Sequence, residues 1–127
     1  TYLNLISFFR ELDVPFEKSN MSFSVSVKNS NVEYGGSVLN AIFANKKNLL
    51  NFKFLKMINE IISFYKKAPL LLNHNLSDET LGNYLEKSKL SKYFIEYHII
   101  PMVAAIWSMP FKKAKVMPLK LFLNFFY

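Results

Sequence analysis

Few side chains in this sequence could carry chemistry. His74 and His98 are the only histidines in 127 residues, and no cysteine accompanies them. A metal ion needs several imidazole, thiolate or carboxylate ligands at set spacings, so no metal ligand is assigned. His98 follows Tyr97 in a helical pattern and reads as a hydrogen-bonded packing residue, whereas His74 reads as an exposed loop residue. The nine Asp and Glu are dispersed along the chain. Asp78-Glu79 suit the positive end of a helix, so no carboxylate pair is assigned to acid and base work. Ser108 lacks the Gly-x-Ser-x-Gly setting of a nucleophile elbow, and Gly35-Gly36 lacks the flanks of a phosphate-binding loop. The residues themselves give no catalytic and no cofactor-binding position.

The elements that would position any site are clearer. Leu5, Phe8, Phe9 and Leu12 recur at helical spacing and predict an opening amphipathic helix, ended by Asp13-Val14-Pro15. From Ser22 the period becomes two, with Phe23, Val25 and Val27 alternating with serines. A turn at 28–31 then leads into Val32-Glu33-Tyr34, which predicts a hairpin over about residues 22–34, broken by Gly35-Gly36. Ser37 could cap a short helix through Phe43. Phe52 to Lys67 has the sharpest helical stripe, with Ala68-Pro69 as its stop.

Ser77 is placed as the N-cap of the next helix, with Leu76 stapling onto Leu81, and Ser91 as the N-cap of another. Pro101 should kink that helix or restart it into the apolar run Met102 to Trp107. Leu119 to Phe126 predict a last helix with almost no polar face. The fold class is therefore α+β and mostly α, five to six helices packed around one antiparallel hairpin. Residues 1–127 form a single domain with no repeat or linker.

Composition narrows the partners. A chain with 51% apolar residues, thirteen Phe and seven Tyr can build one aromatic core. The formal charge of +7 comes from scattered lysines. Arg10 is the only arginine, which argues against nucleic acid, where arginine dominates base readout. The longest apolar stretch is interrupted by Pro101 and falls well short of the ~20 residues that span a bilayer. Absence of cysteine is compatible with a reducing cytoplasm, and a peripheral place on an anionic membrane is the alternative. Thr1 and the final Phe125-Phe126-Tyr127 lack the polar looseness usual at termini, so both ends read as cut.

A resemblance supplies what the residues do not. Thr1-Tyr2 with Asn4-Leu5, Met21-Ser22-Phe23-Ser24-Val25-Ser26, Glu33-Tyr34 with Gly36-Ser37, and Phe43-Ala44 with Asn48-Leu49 stand in order along the chain. Thr80-Leu81-Gly82 with Tyr84-Leu85, and Pro101-Met102 with Ala104-Ala105-Ile106-Trp107-Ser108, follow them. Taken in this order, the whole chain resembles the middle of a bacterial family of NAD/FAD-binding proteins related to flavin-containing amine oxidases. The chain departs from that family where Leu3 stands for the usual Pro, where Asp13 stands for the usual Gly, and at Lys87-Ser88-Lys89-Leu90, which replaces a glycine-containing turn.

The resemblance implies an internal piece of an FAD-dependent oxidoreductase. Its dinucleotide-binding fingerprint would precede Thr1, and a second flavin-contacting segment would follow Tyr127. The piece would hold no FAD and be inactive alone; FAD would bind the remainder of the parent chain. This piece would form the wall of a cavity for a hydrophobic or amine substrate. By position, Tyr2, Met21, Phe23, Met102 and Trp107 are the wall candidates, with ordinary core packing as the alternative for each. Isolated, such a piece should form a homo-oligomer through its bared apolar surface. The competing reading is a non-catalytic module that meets an anionic membrane through Lys112, Lys113, Lys115 and the apolar helix from Leu119 to Tyr127.

Overall fold

The computed structural model describes residues 3–17, 22–28, 30, 32–35, 45–73, 76 and 78–126. Among these, the first helix, α1 (Leu3–Glu11), precedes a hairpin of β1 (Ser24–Ser26) and β2 (Glu33–Gly35). A short 3₁₀ turn, Lys46–Leu50, leads into α2 (Phe52–Leu72), and α3 (Leu81–Lys87) follows. The next rod runs from α4 (Lys92–Phe94) through one π turn, Ile95–Ile99, into α5 (Ile100–Ile106). The short α6 (Phe111–Ala114) and α7 (Leu119–Asn124) close the described chain. Among the described residues the protein is mostly α with one two-stranded antiparallel hairpin. The predicted cap at Ser37 lies outside the described residues.

The core sits where α2, the α4–α5 rod and α7 meet. Phe54, Met57, Phe64 and Ala68 of α2, Phe94, Ile99 and Val103 of the rod, and Phe122 of α7 are buried together. Phe64 touches Phe94 and Phe122, at ring separations of 5.6 and 6.2 Å. The predicted stripe on α2 is therefore its inner face. Asn51 starts the helix by accepting from the N–H groups of Lys53 and Phe54.

The stop at Ala68-Pro69 is overturned, since α2 continues to Leu72. Proline's fixed φ is compatible with a helix, so the loss is confined to one backbone bond. Ala68 is fully buried, and Leu71 and Leu72 pack against the core, which holds the last turn in place.

Ser91 is the N-cap predicted for the rod, accepting from Phe94 N–H. Its own N–H and hydroxyl both donate to the Glu60 carboxylate of α2, joining the two helices. The cap assigned to Ser77 is corrected: Ser77 lies outside the described residues, and Thr80 caps α3 by accepting from Asn83 N–H. Tertiary pairing fixes that start. Leu81 N–H donates to the Met117 carbonyl at 2.8 Å and Gly82 N–H to the Lys115 carbonyl at 2.7 Å, while Leu119 N–H donates back to Glu79. Backbone and backbone are so close here that a Cβ on Gly82 would lie 2.9 Å from the Lys115 oxygen.

The hairpin pairs Ser24 with Gly35, Val25 with Tyr34 and Ser26 with Glu33. The alternation is as expected, with Val25 and Tyr34 buried and the serines exposed. Gly35 is part of the ladder rather than its break. Behind β2, the buried Asn48 donates to the Glu33 carbonyl, and its Oδ1 has no hydrogen-bond partner among the described residues.

Two helices end in the same left-handed device. At α1, Asp13 has φ 51°, and the N–H groups of Asp13 and Val14 reach back to the Arg10 and Phe9 carbonyls. At α5, Ser108 has φ 49° and Met109 N–H reaches back to Ala104. Both are Schellman ends, whose left-handed residue is favoured as glycine.

Two stability outcomes are expected. Gly82→Ala forces the Lys115 backbone outward and lowers unfolding free energy by about 1–3 kcal/mol in urea titration. Ser108→Gly relieves the left-handed strain and raises it by about 1 kcal/mol, measured in the same way.

Candidate functional site

The site starts from a missing donor. Pro101 has no N–H to give the π turn ahead of it, and the Tyr97 carbonyl lies in that turn. The Tyr34 hydroxyl, arriving from β2, donates to that carbonyl at 2.8 Å. The same oxygen lies 3.0 Å from His98 Nδ1. With its proton committed to Tyr97, Tyr34 Oη accepts there, which places the imidazole hydrogen on Nδ1. The single Tyr65 hydroxyl hydrogen then has two acceptors at 3.4 Å, the His98 Nε2 lone pair and Met102 Sδ, and serves one at a time.

The result is a buried chain of groups running from Met102 through Tyr65, His98 and Tyr34 to the Tyr97 carbonyl. The rings of Phe23, Tyr34, Tyr65 and Phe94 surround the imidazole. Burial pushes His98 down from 6.5 to about 4 and raises the Tyr34 phenol above its ordinary range. At neutral pH the chain is therefore uncharged, with a single imidazole tautomer.

Above this chain lies a hollow of about 440 Å³. Phe23, Met102, Ala105, Ile106, Phe125 and Phe126 line it, and Ser22 is its one polar residue. It sits between the start of the hairpin, one face of α5 and the end of the chain. Phe126 also packs on Tyr65 at 5.2 Å, so the hollow's floor rests directly on the polar chain. A second hollow of about 650 Å³ on the hairpin side shares Phe23 and Ala105 with the first.

The structure thus brings Phe23 and Met102 together on one hollow. Trp107 stands one ring behind it, 5.1 Å from Phe125 and 6.4 Å from Phe122. Tyr2 and Met21 lie outside the described residues, as does His74. Sequence reasoning missed Tyr34 and Tyr65 as partners of His98. The available signal was Pro101, whose absent N–H marks an irregular turn beside His98.

What the site can do follows from its groups. The hollow can take an apolar molecule against Phe23, Met102 and Phe126, while the imidazole and phenols lie behind that lining. It does not fit a dinucleotide: Gly35, Gly36 and Gly82 are the only glycines, and they cannot form a Gly-x-Gly-x-x-Gly turn. Among the described residues no group of three or more His, Cys, Asp or Glu could hold a metal ion. No family model, curated protein or solved structure matches the chain.

The buried imidazole makes stability depend on pH in a defined direction. The unfolded chain takes up a proton near 6.5 and the folded one only near 4, so stability is intact above 6.5 and falls as pH drops towards 4. The full loss from this group is about 3 kcal/mol. Urea midpoints measured between about pH 7 and about pH 5 should fall, and His98→Gln should flatten that dependence. An undiminished slope in the variant would assign the effect to other groups.

Proposed function

We propose that this chain is the substrate-side domain of a flavin-dependent oxidoreductase, in which the hollow at Phe23 and Met102 seats an apolar substrate. The observation that carries the reading is that these two residues, assigned to a cavity wall by the family resemblance alone, meet across one hollow from distant parts of the chain. Trp107 braces the same wall through Phe125.

Three further observations support it. The position where the resembling family usually has glycine, Asp13, takes a left-handed φ of 51° at a Schellman end, the conformation glycine favours. The position where that family usually has proline, Leu3, is the first residue of α1, where proline is favoured. Moreover, α1 buries none of its residues, and its Leu5 and Phe8 stay exposed, as does Leu12 just after it. In the intact enzyme the flavin domain would cover that stripe.

The flavin, held by the remainder of the parent chain, supplies the hydride acceptor. This chain's side chains do the positioning. Phe23, Phe125 and Phe126 exclude water, Met102 gives a polarizable, adaptable surface, and the neutral Tyr65–His98 pair holds Met102 from below.

Purification of the intact parent should yield a yellow protein that releases FAD on denaturation. A folded, colourless parent that takes up no FAD would refute the reading. Anaerobic bleaching of the flavin, screened over hydrophobic amines and unsaturated fatty acids, identifies the substrate. Phe23→Trp, which overfills the hollow, should then slow bleaching at low substrate by roughly 10-fold or more while the flavin stays bound.

A further inference from the structure

The C-terminal layer has two unlike sides. Ala114, Met117, Leu119, Phe122 and Leu123 face inward and are buried. Outward, Phe111, Val116 and Leu121 remain 62%, 70% and 50% exposed. Lys112, Lys113, Lys115 and Lys120 are interleaved with them and are also exposed. No Asp or Glu follows Glu96 in the sequence. No ion pair among the described residues involves any of these four lysines. Phe111, Lys112 and Lys115 also border a hollow shared with Glu86 and Glu96, on the edge of the layer that meets α3 and the rod, whereas Lys113, Val116, Lys120 and Leu121 do not.

From this outward face we infer that residues 111–121 dock on an anionic lipid surface. Large apolar side chains left in water are costly, and here each stands next to a lysine. An ammonium on a flexible stem suits a diffuse layer of headgroups while the adjacent ring or branched chain enters the acyl boundary. A second copy of this chain is a poor occupant, because it would set lysines against lysines on a molecule already carrying +7. An acidic protein is the weaker partner on composition. Protein interfaces are enriched in Arg and depleted in Lys, whereas this face has four lysines and no arginine. No helix among the described residues is long and apolar enough to cross a membrane, so the contact is peripheral. The inference is independent of the flavin reading and survives its failure.

The test is cosedimentation of the chain with phosphatidylcholine vesicles made with and without phosphatidylserine. Binding is expected only with phosphatidylserine and should weaken as salt rises. Lys112→Ala with Lys113→Ala should weaken it by roughly 25-fold, about five-fold per lysine. The matching Arg pair should retain binding. Leu121→Ser, a change at an exposed site, should weaken it by roughly 10-fold without altering the circular dichroism spectrum. Three results overturn the inference. One is absence of binding at low salt by folded protein. Another is equal binding to both vesicle types that ignores the lysine changes. The third is polyglutamate binding as tight as vesicle binding and indifferent to Leu121→Ser, which would assign the face to an acidic polypeptide.

Discussion

The Tyr34 hydroxyl ties the hairpin to the rod at the π turn just before Pro101, and this contact organises the centre of the molecule. Tyr34 donates to the Tyr97 carbonyl from 63 residues earlier in sequence. An unsatisfied buried polar group costs about 1–3 kcal/mol, so this contact strongly favours one placement of the hairpin against the rod. Once Tyr34 is there, its oxygen is an acceptor for His98 Nδ1, which fixes the imidazole and turns Nε2 towards Tyr65. The π turn at Ile95–Ile99 lies in the same stretch, with Ile100 N–H reaching five residues back to Ile95. The hollow over Met102 is bounded by Phe23, just before the strand that pairs with Tyr34's own.

A second constraint acts on the other side of the core. The chain from Lys115 to Leu119 is bonded through its backbone to Glu79, Leu81 and Gly82. That pairing sets where α3 starts and how closely the C-terminal layer approaches. Its inward residues complete the aromatic cluster of Phe64, Phe94 and Phe122, while its outward residues have nothing left to bury against. The exposed lysine and apolar face is thus a by-product of a tightly fixed backbone, held firmly enough to present it.

Elements governed by neighbours along the chain were legible in the sequence. The stripe of α2, the alternation of the hairpin and the Ser91 cap each follow from spacing within a few residues. What was not legible depends on contacts across the fold. Pro69 stays helical because Leu71 and Leu72 have a core to pack on, and Thr80 displaces Ser77 as the α3 cap because residues 115–119 pin that start. The chain from Tyr34 to Tyr65 joins three segments, and no local pattern relates them. Only Pro101 marked an irregular turn there, without naming the residue that would bond to it. At α1 the limitation was different: periodicity placed a helix correctly, but a stripe of apolar residues says only that a partner is suited to it, not that the chain itself provides one.

The candidate wall and the lysine face meet at the C-terminal helix. Phe125 lines the hollow and is still 43% exposed, and Leu121, one helical turn before it, belongs to the lipid-facing set. Residues four apart share a helix face, so the surface inferred to meet lipid runs on to the rim of the hollow. An apolar substrate dissolved in a bilayer would then pass from lipid to Phe125 and on to Met102 with little exposure to water. Since transfer of apolar surface through water is the costly step for such a molecule, a hollow opening beside the membrane face removes most of that cost. The two readings rest on separate observations, and their physical compatibility comes from this one helix, whose inner residues build the core while Leu121 and Phe125 connect its outer surface to the cavity.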